Sequence, residues 1–157
     1  MTPRNPQLPL RLEADIPATD ERWRAGGVVV YLGGTLTLML DTSCREPTRM
    51  VDELHLPLPP AASPRQIRDA AESWLRDEAL RIFSAIITQK SALGVRHIPA
   101  IALAFGKRSD WARIDGNALR CHWRLIEQET AVIEQVLGRA LASRQPAPLC
   151  NDLFALV

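Results

Sequence analysis

SPRQIRDAAESWLRDEALRIF, Ser63 to Phe83, is the stretch from which the rest of the chain is read. Ser63 puts a side-chain acceptor just ahead of Pro64, which takes the helical position where a missing N–H is harmless. Gln66 follows three residues after the serine and can return a hydrogen bond to its amide, the arrangement of a capping box. Ile67, Ala71, Trp74, Leu75, Ile82, Phe83 and Ile86 then recur on one face, while Arg68, Asp69, Glu72, Arg76 and Asp77 populate much of the other. The spacing predicts a long amphipathic helix with Trp74 and Phe83 in the core and Gly94 as its stop.

Upstream, GVVVYLGGTLTLMLD (Gly27–Asp41) reads as strand, turn, strand. Val28 to Leu32 is β-branched and aromatic, and Gly33-Gly34 can supply the positive φ angles of a tight hairpin turn. Thr35 to Leu40 alternates polar and apolar, the period of a half-buried strand. RMVDELHLPLP (Arg49–Pro59) reads as a further strand, with Pro57 and Pro59 marking an edge or an end.

Downstream, HIPAIALAF (His97–Phe105) and NALRCHWRLI (Asn117–Ile126) read as two more strands, joined by the polar, glycine-flanked loop GKRSDWARIDG (Gly106–Gly116). A last helix is expected from Thr130 to Ser143, with Val132, Ile133, Val136, Leu137, Ala140 and Leu141 as its buried stripe. Glu127 and Glu129 lie just before it, where an acid complements the helix dipole. The order strands, long helix, strands, helix predicts an α+β domain, its helices packed on a mostly antiparallel sheet.

The chain has 157 residues, 46% hydrophobic and 24% charged, enough for one domain with its own core. A net charge of +1 gives no global attraction to nucleic acid or membrane. No apolar run is long enough to span a bilayer and no signal peptide is evident, so a cytoplasmic protein without membrane partners is expected. Residues 1–26, with Pro3, Pro6, Pro9 and Pro17, read as a proline-rich arm tied down at Trp23, leaving 27–157 as the domain. Cys44, Cys121 and Cys150 form no C-x-x-C pair and read as reduced thiols.

YLGGTLTLMLD, LHLPLPPAASPRQIRDAAESWLRDEALRIF, LGVRHIPAIAL and GNALRCHWRLI occur in one order. Together they resemble the bacterial YgjP-like (DUF45, WLM-related) zinc metallopeptidases, whose relatives include SprT-like proteins, over roughly Val30 to Val157. The resemblance implies a zincin-like single domain. It also implies a helix bearing H-E-x-x-H, two histidines one turn apart on a Zn²⁺ and a glutamate acting on the metal-bound water. Trp123, Arg124 and Leu125 match the family's N-W-R-L strand. Counted forward without a gap, the metal motif falls on Arg139, Ala140, Leu141, Ala142 and Ser143. Arginine is a permanent cation, alanine accepts no proton and serine alone is a poor ligand. The third ligand falls near Leu149 or Cys150, and the family's R-W-G-S-C is reduced to Trp111. The resemblance therefore implies a degenerate member without zinc, other cofactor or peptidase activity, acting as a protein-binding or regulatory module.

Two other readings stay open. A metal-dependent hydrolase with a rebuilt site would draw on His55, His97, His122, Cys121 or Cys150, although Cys121 and His122 as strand neighbours point to opposite faces. A nucleic-acid binder related to the SprT-like proteins would use Trp111 and Trp123 with Lys107, Arg108, Arg113, Arg120 and Arg124. Arg139, Trp111, Arg113 and Arg124 are the binding residues expected from the sequence, with Arg139 suited to an oxyanion.

Overall fold

The capping box is formed: Ser63 N donates to Gln66 Oε1 at 2.9 Å and Gln66 N donates to Ser63 Oγ at 3.3 Å. It opens helix α1, Pro64–Ser91, in the computed structural model, which describes residues 21–91, 98–106 and 110–143. Ile67, Ala71, Leu75, Ala79, Phe83, Ile86 and Ile87 make its buried stripe, while Trp74, expected in the core, is only half-buried. Gly94 and the arm before residue 21 lie outside the described residues.

Mixed α+β architecture holds, with two small sheets and two α-helices among the described residues. Two compact units divide it: one comprises the chain up to Val30 and Thr35 to Trp74, the other Tyr31 to Gly34 and the chain from Leu75.

The first unit is built on a sheet of order β1-β2-β4-β3, from β1 (Val28–Tyr31), β2 (Gly34–Leu40), β3 (Thr48–Met50) and β4 (Glu53–Leu56). β4 runs parallel to β2, with Leu38 beside Leu54 and Leu40 beside Leu56, and antiparallel to β3. Val29, Leu36, Leu38, Leu54 and Leu56 alternate inward as period-two patterning requires, and Trp23 joins them in the core. Two expectations are corrected. The β1–β2 turn is Leu32-Gly33, not Gly33-Gly34, with φ of 48° and 77° at the two residues. A tight hairpin turn needs two left-handed residues, and Leu32 accepts the first. RMVDELHLPLP is likewise two strands, because Val51 at φ 53° turns the chain between β3 and β4.

In the second unit, β5 (Ala100–Ala104), β7 (Ala118–His122) and β6 (Ala112–Asp115) form a sheet in that order. β5 is parallel to β7 and β6 antiparallel to it. The expectation of one sheet is therefore corrected to two, and each contains a parallel pair beside its antiparallel pairing. β6 forms inside the segment expected to be loop. The expected strand through Ile126 stops at His122, where its Nδ1 accepts from Arg124 N and Trp123–Glu127 coils into a 3₁₀ helix. Helix α2, Thr130–Ala142, buries Ile133, Leu137, Ala140 and Leu141 but leaves Val132 exposed. Leu32 N and Gly33 N donate to the carbonyls of Ile126 and Glu127 at 2.8 and 3.0 Å, and Tyr31 Oη donates to Glu78 at 2.7 Å. No described helix is long and apolar enough to cross a membrane.

Candidate functional site

Helix α2 carries Arg139, Ala140 and Ser143, the positions singled out by the resemblance. Arg139 is exposed, Ala140 is buried, and Ser143 is the exposed C-terminal cap. Arg139 and Ser143, four residues apart, occupy one open side of the helix. Ser143 Oγ donates back to Ala140 O, a local bond that ties the hydroxyl to its own helix end.

The other binding residues expected from sequence divide between two places. Trp111 is 48% exposed and meets His122 edge-on, with ring centroids 5.9 Å apart. Arg113 lies directly opposite Arg120 across β6 and β7. Both arginines, with Leu103, Phe105 and Asp110, line a cavity of about 410 Å³. Like charges set opposite each other in a sheet repel, and Asp115 offsets this only through an exposed pair with Arg120 at 3.5 Å. Arg124 lies elsewhere: it stacks over the buried Trp123 ring at 4.9 Å and pairs with Glu127 at 3.1 Å. Trp123 is thus core, with Arg76 stacked at 5.4 Å from it and 5.2 Å from Phe105. Lys107 and Arg108 lie outside the described residues.

Of the metal-ligand residues considered from sequence, His97 and Cys150 lie outside the described residues. Cys121 is buried, and desolvation pushes its thiol up to about 12. His122 faces the other side of β7, its Nε2 3.0 Å from the carbonyl of Gly106. These two do not converge, as strand alternation requires.

His55 has partners that sequence reasoning missed. Asp41 closes β2, where its amide donates to Leu56 O at 2.8 Å. Its Oδ1 accepts from the amide and hydroxyl of Ser43, an Asx turn that fixes the carboxylate. Its Oδ2 is left to face Cys44 Sγ at 3.5 Å and His55 Nδ1 at 3.2 Å. On the other side of the ring, Nε2 lies 3.0 Å from Glu53 Oε2. One donor atom from each of Asp41, Cys44 and His55 lies within 4.8 Å of the other two. The Ser43 hydroxyl, then the Ser43 amide and His55, hold the Asp41 carboxyl at about 2. The Glu53 carboxylate, more than Asp41, raises the His55 imidazole, and desolvation followed by Asp41 raises the Cys44 thiol. The available signal was the DTSC turn after β2; His55 joins it only because β4 pairs parallel to β2.

Compared with known proteins, the chain matches no protein-family model, no curated protein and no solved structure.

Proposed function

We propose that this chain is a degenerate, zincin-like relative of the YgjP-like metallopeptidases that has given up hydrolysis at α2 and works in the cytoplasm as a binding module for a protein partner. The observation that carries the reading is helix α2, where Arg139 and Ser143 stand one turn apart on an open side while Ala140, next to Arg139, turns into the core. That spacing suits two ligands on one ion, but a guanidinium, a methyl group and a self-bonded hydroxyl neither hold a dication nor accept a proton. The reading includes no zinc and no other cofactor at α2.

The cavity on the second sheet is the binding surface in this reading. Phe105, 60% exposed, gives an aromatic anchor beside the opposed Arg113 and Arg120. Aromatic and arginine side chains dominate binding energy at protein interfaces, and a carboxylate-bearing segment would relieve the repulsion between the two guanidinia. The partner is therefore an acidic peptide segment of another protein.

The test has two arms. Peptide libraries incubated with the chain, with and without added Zn²⁺ or Co²⁺, should stay intact; cleavage that a chelator abolishes overturns the pseudoenzyme reading. Fluorescence anisotropy with acidic and charge-neutral peptides should favour the acidic set, and the R113E/R120E double variant should weaken that binding by about tenfold or more. Affinity indifferent to the double variant refutes the surface. Salt-dependent binding of single-stranded DNA or RNA in preference to peptide favours the nucleic-acid reading instead.

A further inference from the structure

We propose that Asp41 Oδ2, Cys44 Sγ and His55 Nδ1 form a three-ligand site for a transition-metal dication of the zinc class, with Glu53 as the outer carboxylate that holds the far ring nitrogen of His55. All four residues belong to the first unit, and the site is independent of the α2 positions discussed above.

The donor spacing is the first argument. A tetrahedral Zn²⁺ with bonds of about 2.0 Å to nitrogen and oxygen and about 2.3 Å to sulfur requires N···O and S···O edges of about 3.3 and 3.5 Å. The two edges that meet at Asp41 Oδ2 measure 3.2 Å to Nδ1 and 3.5 Å to Sγ. The third edge, between Cys44 and the His55 ring, is bounded by the 4.8 Å within which one donor atom of each of the three residues lies from the others.

Imidazole chemistry supplies the second argument. Both ring nitrogens of His55 face carboxylate oxygens, at 3.2 and 3.0 Å. A neutral imidazole has one N–H, so it satisfies one carboxylate and turns a lone pair toward the other. The conflict is resolved by a second proton or by a cation between Nδ1 and Asp41. With the N–H directed at Glu53, Nδ1 becomes the ligand, and a metal-bound histidine that donates its other nitrogen to a carboxylate is the arrangement metal sites use.

The donor set of one thiolate, one imidazole and one carboxylate selects Zn²⁺ and its tetrahedral analogues over Mg²⁺ or Ca²⁺, which take oxygen. Three protein ligands leave the fourth position to water. His55 is 15% exposed and Asp41 33%, so an ion can enter from solvent. Binding needs the Cys44 thiolate and a free lone pair on His55 Nδ1, so uptake displaces the thiol proton to solvent and should weaken as pH falls.

The test uses the full chain, reduced and stripped with a chelator, titrated with Co²⁺ alone. One equivalent should produce a thiolate-to-cobalt charge-transfer band and tetrahedral d–d absorption, both displaced by Zn²⁺. Cys44→Ser should abolish the charge-transfer band, and Glu53→Gln should weaken binding about 10–100-fold. The double variant C121S/C150S should retain the full spectrum. Far-UV circular dichroism of each stripped variant should match the stripped parent; if Cys44→Ser unfolds the chain, His55→Gln takes its place, with loss of tetrahedral absorption as the readout. Absence of a thiolate band at excess Co²⁺, its survival in Cys44→Ser, or its loss in C121S/C150S overturns the site.

Discussion

Replacing Gly33 by alanine tests the turn that joins the first two strands. Gly33 sits at φ 77°, a conformation that costs an L-residue about 1–2 kcal/mol. A Cβ built there comes within 2.5 Å of Glu129 Cγ and 3.3 Å of Glu129 Cα. The Cγ can move by rotation, at about 1 kcal/mol for leaving a preferred rotamer. The close approach to the Glu129 backbone persists after that rotation. Alanine also restricts the unfolded chain, which returns about 0.5 kcal/mol. The net expectation is destabilisation by about 2 kcal/mol, which at a urea slope of about 2 kcal/mol/M lowers the midpoint by about 1 M without altering the slope. A double-mutant cycle isolates the clash with the glutamate side chain. Glu129 caps α2 without a side-chain hydrogen bond to it, so Glu129→Ala removes Cγ with no loss of a cap. Gly33→Ala should therefore cost about 1 kcal/mol less in the Glu129→Ala background. A Gly33→Ala variant as stable as the parent refutes the left-handed assignment, and identical costs in the two backgrounds refute the side-chain clash.

Three further outcomes follow from the same physical accounting. Gly138→Ala should stabilise the chain by about 1 kcal/mol in thermal or urea unfolding, because helix interiors favour alanine and the added Cβ meets only the end of Lys90 at 3.4 Å. Ser63→Ala should destabilise by about 1 kcal/mol, through loss of the hydroxyl that accepts from Gln66 N; an unchanged urea midpoint would contradict the capping box. Cys121, with its thiol raised from 9.0 to about 12, ionises in the unfolded chain before it does so in the folded one. Stability should fall as pH rises from 9 towards 12, by about 1.4 kcal/mol per pH unit from this one group, and Cys121→Ala should flatten that limb of the pH–stability curve.

Local signals in the sequence transmitted well. The Ser63-Pro64-Gln66 cap places α1, and the apolar periodicity of Ile133, Leu137 and Leu141 places α2, because both depend on residues within a turn or two. What was lost depends on pairing at a distance. Nothing local says that β4 lies beside β2 rather than folding back on it, or that Ala112 to Asp115 extends along β7. Arg139 and Ser143 were singled out by the resemblance, and their place on one helix side follows from i,i+4 spacing, whereas the Asp41–Cys44–His55 cluster was not legible: its members are brought together by a parallel register and a side-chain-bonded turn. Leu32 shows the remaining kind of miss. The glycine pair promised a hairpin, but a leucine accepted the left-handed conformation and moved the turn by one residue.

The strand orders β2-β4-β3 and β5-β7-β6 share one plan, in which the last-made strand takes the central seat. As the polypeptide leaves the ribosome, Thr48–Met50 must wait for Glu53–Leu56, and Ala100–Ala104 together with Ala112–Asp115 must wait for Ala118–His122. During that interval their backbone amides and carbonyls are open to any passing strand, the condition under which nascent chains aggregate.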